Sequence, residues 1–203
     1  PGSYEVLVDG SAVGPLVQQS PEHENLFCLP ASINLAGAEI DMVNASQREK
    51  VLASALATYV NQTSPRIDFI FIDSPPSLGL LTVNALVAAT EVLVPIQCEY
   101  YALEGVTQLI ANIERVKKAL NPSLDISSIL LTMFDNRTNL STDVANEVRK
   151  YFPEQTLAAT IPRSVRLSEA PSYGQTAITF DPKNSGSLAY QEAAIELAQR
   201  GDH

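Results

Sequence analysis

Asp73 is the residue whose type and position point most directly to chemistry. It follows an apolar run, residues 67–72, that only Asp68 interrupts, and such a run is typical of a strand buried on both faces of a parallel sheet. In α/β folds, ligands bind at the carboxyl ends of such strands. Pro75 and Pro76 lack backbone N–H donors and stiffen the turn after the carboxylate. Asp73 is therefore predicted to orient a Mg²⁺ ion between nucleotide phosphates, as a Walker B aspartate does. The alternative is an ordinary turn aspartate at the end of a strand.

Other kinds of metal site have little support in the composition. The two histidines are His23 and His203, and the two cysteines are Cys28 and Cys98, so the sequence contains no cluster with metal-ligand spacing. Metal chemistry is therefore expected to involve a hard cation, carboxylates and phosphates. Both cysteines follow strand-like residues and are predicted to be small buried hydrophobes in a reducing compartment.

The charge is uneven along the chain. The net charge of −10 argues against a protein that coats nucleic acid by bulk electrostatics. Residues 1–100 contain three basic and eleven acidic residues, whereas residues 101–203 contain ten basic and twelve acidic residues. Any anion-binding face is therefore expected in the second half.

Nothing in the sequence predicts a membrane segment or a secretion signal. No window of about 18 apolar residues is present, and the first residues lack the basic and apolar regions of a signal peptide. The expected location is the cytoplasm, with no membrane partner.

The candidate chemistry must be positioned by alternating strands and helices. Residues 103–120 have apolar residues at every third or fourth position, which predicts an amphipathic helix. The predicted strands cover residues 26–30, 67–72, 91–97, 126–133 and 156–161. The predicted helices cover residues 31–43, with an interruption at Gly37, and residues 46–60, 80–89, 103–120, 141–151 and 187–199. This alternation predicts an α/β fold, a mostly parallel, doubly wound sheet in one domain over residues 1–203.

Five sequence blocks together resemble one known family. They are LAGAEI (residues 35–40), IDSPPSLGLLT (72–82), PIQCEYYALEG (95–105), LLTMFDNRTNLS (130–141) and IPRSVRLSEAPS (161–172). In this order they resemble the ParA/Soj chromosome- and plasmid-partitioning ATPases, which belong to the deviant-Walker P-loop class that also contains MinD. The resemblance covers nearly the whole chain.

The resemblance implies a P-loop-type fold and an ATP-dependent cycle. A member of this family binds ATP and Mg²⁺, forms a homodimer with ATP at the interface and holds nucleoid DNA without sequence preference. A ParB-type partner then stimulates hydrolysis. The same resemblance implies a cytoplasmic, nucleoid-associated protein.

The resemblance also assigns roles to particular residues. It implies that Asp73 contacts Mg²⁺ through water. The switch II segment, which senses the γ-phosphate, is represented by Ser74, Pro75, Pro76 and Gly79. For the base pocket the candidates are Met133 and Pro162, for which core packing and turn geometry are the alternative. For DNA phosphates they are Arg137 and Arg166, because the planar guanidinium can hold two phosphate oxygens. Arg163, together with Lys183 and Arg149, is a further candidate that would widen this basic patch.

Two motifs with which the family opens, a glycine-rich phosphate loop and an Asp-x-Asp-Pro-Gln motif, are missing from these 203 residues. The five lysines are Lys50, Lys117, Lys118, Lys150 and Lys183, and none follows a glycine, so no glycine-rich phosphate loop can be drawn. Judged by the resemblance, the chain is expected to begin about 60 residues into the family's length. Because that loop holds the β- and γ-phosphates, this chain alone is not expected to hydrolyse ATP, and whether it is an enzyme stays open. A missing central strand would also leave two strand edges unpaired.

Two other functions remain open at this point. The chain could be a non-catalytic regulatory form that pairs with intact protomers. It could also belong to a membrane-cycling, MinD-like branch, although residues 196–203 lack the basic amphipathic helix that this branch uses.

Overall fold

The computed structural model describes residues 1–64, 66–100 and 102–201, and it divides the chain into two compact units. Unit 1 comprises Pro1–Thr90 and Asn112–Leu124, and unit 2 comprises Glu91–Ala111 and Asp125–His203. The prediction of a single domain stays a prediction. In the described part of the chain, every helix is too short or too polar to cross a membrane.

A three-stranded parallel sheet forms the centre of unit 2. Its strands are β3 (Glu91–Gln97), β4 (Asp125–Phe134) and β5 (Thr156–Pro162), in the order β3-β4-β5. Ile96 lies opposite Leu131, and Leu131 lies opposite Thr160. The three strands predicted for this half are confirmed to within one residue at each end.

Helices cover both faces of this sheet. They are α5 (Ala102–Ala119), of which residues 102–111 belong to this unit and residues 112–119 to unit 1, α6 (Asn139–Tyr151) and α9 (Ser185–Gly201). Because side chains alternate along a strand, Ile129 and Leu131 of β4 pack on one face with Val148 of α6, and Leu130 packs on the other face with Ala193 of α9. The predicted doubly wound α/β architecture is confirmed.

Two short helices in unit 2 were not predicted. They are α7 (Val165–Glu169) and α8 (Ala177–Phe180), with a 3₁₀ turn at Ala170–Tyr173 between them. Four or five residues are too few to show a helical period. The hydroxyl of Thr176 accepts a hydrogen bond from the Thr179 N–H at 3.2 Å and begins α8.

Unit 1 is mainly helical. Its α-helices are α1 (Ser3–Leu7), α2 (Ala38–Asp41), α3 (Val51–Gln62) and α4 (Leu80–Ala88). Three 3₁₀ segments (Gly14–Leu16, Ile33–Gly37 and Arg48–Lys50) and the paired two-residue strands β1 (Gln18–Gln19) and β2 (Phe27–Cys28) complete the elements described for this unit. The predicted interruption at Gly37 is confirmed, since the second 3₁₀ segment ends there. Leu7, Met42 and Leu52 form the buried centre of the unit.

The strand predicted at residues 67–72 is wrong in this structure. Residues 66–75 have no regular secondary structure, and Phe69 and Phe71 are 63% and 78% exposed. A strand is stable only when neighbouring strands satisfy its backbone and cover its faces, and no strand pairs with this segment in the described residues. Ile72 alone packs partly against the unit 1 core.

The two cysteines differ in environment. Cys98 is buried, as predicted, and burial raises the pKa of its thiol. Cys28 is exposed, so its predicted burial is wrong. It lies in β2, a two-residue strand that pairs with the two residues of β1 and is exposed at both of its positions.

Candidate functional site

The carboxyl ends of β3, β4 and β5 open into a cavity within unit 2. Its volume is about 1020 Å³. Main-chain hydrogen bonds hold the strand ends together, because the Cys98 N–H donates to the Thr132 carbonyl and the Arg163 N–H donates to the Phe134 carbonyl, both at 2.9 Å. The lining residues are 94–100, Gly105, Val106, Leu109, Met133, Asp135, Arg137, Thr138, Leu140, Ser141 and Arg163. This is the edge at which parallel sheets bind ligands.

The two residues proposed for a base pocket take different positions at this edge. Met133 lines the cavity and has a φ of 52°, which non-glycine residues rarely adopt and which is enriched at functional sites. Pro162 is the last residue of β5, lies in register with Phe134 and is not among the cavity-lining residues. The structure therefore associates Met133 with the cavity directly and Pro162 only through its strand.

Arg137 is held by a carboxylate two residues earlier. Its Nε and Nη2 donate to the two carboxylate oxygens of Asp135 at 2.9 and 2.7 Å, and its backbone N–H also donates to Asp135 at 3.0 Å. The Arg137 side chain is 83% exposed, whereas that of Asp135 is 17% exposed. The carboxylate thus fixes the guanidinium plane at the mouth of the cavity and leaves Nη1 outside this pair.

Hydrogen bonds from the Arg137 side chain and backbone lower the pKa of Asp135 from 3.8 to about 2. We expect Arg137→Ala to move the Asp135 pKa back towards 3.8, measurable by NMR titration of the carboxylate carbon. Because the folded-state pKa is lowered, the pair stabilises the fold fully above pH 3.8 and this contribution is lost as the pH falls through about 2. Asp135→Asn should therefore remove the part of the acid unfolding slope that lies between these values. A pKa that stays near 2 in Arg137→Ala would contradict the pairing.

The other two predicted DNA contacts also have carboxylate partners. Arg163 donates to Glu99 at 2.7 Å, and both side chains are about half exposed. Arg166 donates to Asp181 at 3.1 Å and to Glu169 at 2.9 Å. The Arg166 guanidinium also lies 4.5 Å from the centre of the Phe180 ring.

These ion pairs offset the positive charge of all three arginines. An incoming phosphate must compete with a carboxylate at each arginine, so the three side chains do not add up to a simple basic patch. Glu99 and Asp181 were missed by sequence reasoning, because they lie 64 and 15 residues away from the arginines that they pair with.

Asp73 lies in unit 1, in an exposed stretch without regular secondary structure. Among the described residues, no group of three or more His, Cys, Asp or Glu side chains is arranged to hold a metal ion. A single carboxylate fits Mg²⁺, which usually keeps several waters and is shared with substrate phosphates. Asp73 would hold such an ion only together with the nucleotide that supplies the remaining oxygens.

The predicted switch residues join this stretch to helix α4. Ser74, Pro75 and Pro76 are exposed. The hydroxyl of Thr82 donates to the Ser77 carbonyl at 2.5 Å, and it also lies 3.3 Å from the Pro75 carbonyl. Gly79 directly precedes α4. Thr82, in the first turn of α4, therefore holds the backbone of residues 75–77 close to the start of the helix.

Comparison with known proteins matches the chain to one family model and to proteins named Soj and ParA. A family model described as an AAA domain matches residues 3–126. Sporulation initiation inhibitor protein Soj of Bacillus subtilis is 48% identical over 198 residues, which are 98% of this chain and 76% of that protein. Chromosome partitioning protein ParA of Myxococcus xanthus is 46% identical over 197 residues, which are 97% of this chain and 68% of that protein.

A solved structure agrees in fold over nearly the whole chain. It is described as cobyrinic acid a,c-diamide synthase from Mycobacterium smegmatis with bound ATP analog and magnesium. It has a TM-score of 0.80 at 35% identity and covers 98% of this chain and 72% of that one. The Soj and ParA proteins above are more similar to this chain in sequence than this solved structure is.

Proposed function

Because the chain belongs to the Soj/ParA family of chromosome-partitioning ATPases, we propose that the protein works as an ATP-gated DNA-binding partitioning factor. It binds ATP with Mg²⁺, pairs with a second copy around the nucleotides and holds nucleoid DNA without sequence preference. A ParB-type partner stimulates hydrolysis and releases the DNA. The protein acts in the cytoplasm, on the nucleoid, and not at a membrane.

The cavity at the carboxyl ends of β3, β4 and β5 is the observation that carries this proposal. It combines an apolar wall, the backbone of Met133 in a rare conformation and two arginines at its rim. Apolar surface suits a base, and arginines suit phosphates. The bound ATP analog and magnesium in the Mycobacterium smegmatis structure support the nucleotide part of the proposal.

Hydrolysis is proposed to need a phosphate loop outside these 203 residues. The backbone N–H groups and lysine of such a loop neutralise the β- and γ-phosphates, and no glycine-rich loop with a lysine occurs in the sequence. Asp73 would supply its Mg²⁺ contact only once those phosphates are held.

The test is a titration with a fluorescent ATP analogue and Mg²⁺. We expect the 203-residue chain to bind at least about tenfold more weakly than a fusion in which a ParA-type phosphate-loop segment precedes Pro1, since a tenfold change needs only about 1.4 kcal/mol of lost phosphate contacts. A fusion with its phosphate-loop lysine changed to alanine is the control. Equal affinity of the short chain and the intact fusion would show that other groups hold the phosphates.

Arg137 provides a separate test of DNA binding. It is the most exposed of the paired arginines, so its guanidinium can reach a phosphate with the least rearrangement. We expect Arg137→Ala to weaken binding to random-sequence duplex DNA about equally for all sequences and to lower the slope of log K against log salt by about 1. Fluorescence anisotropy over a salt series measures both quantities.

Arg115→Ala is the matched control for this measurement. Arg115 is an exposed arginine of α5 that belongs to unit 1. Loss of its charge is expected to leave the salt slope unchanged. If the two variants behave alike, the cavity rim is not the DNA-binding surface.

A further inference from the structure

We propose that Glu39 is a positioning residue that fixes the C-terminal end of the switch segment, residues 74–79, at the start of α4. The proposal rests on the function proposed above and on the nucleotide-sensing role that the family resemblance implies for that segment. The carboxylate of Glu39 accepts a hydrogen bond from the Leu81 backbone N–H at 3.1 Å, across 42 residues of sequence. The segment between Asp73 and α4 therefore ends at a fixed point.

Glu39 provides the cap that α4 lacks locally. The first turn of a helix has backbone N–H groups without partners, which a side-chain oxygen usually satisfies. The residue before α4 is Gly79, which has no side chain to do so. A carboxylate is well suited to this position, because the helix dipole places positive charge at the N-terminus.

The same carboxylate explains why residue 79 is a glycine. Its φ of −97° is open to any residue, so the backbone conformation does not require glycine. A Cβ atom at this position would overlap Oε1 of Glu39 and would lie 2.7 Å from the Glu39 carboxyl carbon. Glycine is therefore required because the carboxylate approaches the backbone closely.

The position of Glu39 is itself fixed by the core of unit 1. Glu39 lies on α2 next to Ala38, which is fully buried, and three residues before Met42, which is 1% exposed. On the same helix, Asp41 accepts a hydrogen bond from the Tyr4 hydroxyl at 2.9 Å. Movement of the switch segment would thus stop at Gly79, because α4 begins against an anchored carboxylate.

Amide hydrogen exchange of the nucleotide-free 203-residue chain tests this proposal. In Glu39→Ala we expect exchange of the Leu81 N–H and the first turn of α4 to accelerate about 2- to 30-fold, the range that corresponds to loss of one N-terminal cap. Glu39→Gln retains an acceptor oxygen and should restore most of the protection. Glu24→Ala is the control, because Glu24 is an exposed glutamate of the same unit outside α2 and α4, and it should leave α4 unchanged. Equal acceleration throughout α3 and α4, or no rescue by glutamine, would overturn the proposal.

A double-mutant cycle tests the close approach directly. Gly79→Ala is expected to destabilise unit 1 when Glu39 is present, because the new methyl group meets the carboxylate. In Glu39→Ala that obstacle is removed, so the double variant should be more stable than the sum of the two single losses predicts. Strict additivity would show that the two residues do not interact. Both measurements are made without nucleotide. Their results therefore test the Glu39 contact independently of the proposed ATP binding.

Discussion

Replacing Asn84 by leucine is expected to destabilise unit 1 by about 2–4 kcal/mol. Asn84 is fully buried in α4, and its Oδ1 accepts the Leu52 N–H at 3.2 Å, near the start of α3. Its Nδ2 donates to the carbonyls of Arg48 at 2.8 Å and Leu80 at 3.0 Å. Leucine has a similar volume but leaves the Leu52 N–H and the Arg48 carbonyl without these partners. Each buried polar group that loses its partner costs about 1–3 kcal/mol.

Urea unfolding followed by circular dichroism measures this loss. Asn61→Leu is the matched control, because Asn61 is an exposed residue of α3 in the same unit. It should change the midpoint little, since exposed substitutions usually lie within about 0.5 kcal/mol. A loss at Asn84 no larger than that at Asn61 would mean that backbone rearrangement satisfies the freed groups.

Asn84 is one of three side chains that hold α4 in place, and α4 is the helix that follows the predicted switch residues. One end of this helix receives the Glu39 carboxylate, and its interior joins it to α3 through Asn84. At its other end, Nδ2 of Asn121 donates to the Leu86 and Ala89 carbonyls at 2.9 and 2.8 Å. Side chains distant in sequence thus hold the helix that follows the switch segment.

The strands and long helices of unit 2 could be predicted because their signals are local, whereas α7 and α8 are too short to show a helical period. β4 is an apolar run of strand length, and α5 has a clear helical period, so both were located to within one residue at each end. The stretch at residues 67–72 has an equally strong strand pattern, yet it is not a strand in this structure. The pattern reports the preference of the residues for burial, whereas pairing depends on neighbouring strands that sequence periodicity does not describe.

The candidate residues could be named from the sequence, but their contacts could not. Asp135 lies two residues before Arg137, so that pair could have been found from spacing. Nothing local connects Glu99 to Arg163 or Glu39 to Leu81, because only the fold brings them together. Under the proposed function, these long-range carboxylates would limit how freely Arg163 meets a phosphate and where the switch segment ends.

Asp73→Asn is expected to weaken Mg²⁺-dependent nucleotide binding by about 10- to 100-fold, in the fusion that carries a phosphate loop. This is the usual cost of losing a side chain that orients the metal's ligands from the outer shell. Asp73 is proposed to act through a metal-bound water, and asparagine keeps the shape of the side chain but loses the negative charge. Titration of the fluorescent ATP analogue with increasing Mg²⁺ gives the apparent metal affinity.

Asp68→Asn provides the matched control for this substitution. Asp68 is the other carboxylate of the same extended stretch, and it lies five residues before Asp73. It removes the same charge from the same segment, so a general electrostatic effect would appear in both variants. A loss confined to Asp73→Asn would support the Mg²⁺ role. Equal losses in both variants, or a loss that is the same without Mg²⁺, would show that Asp73 does not orient the ion.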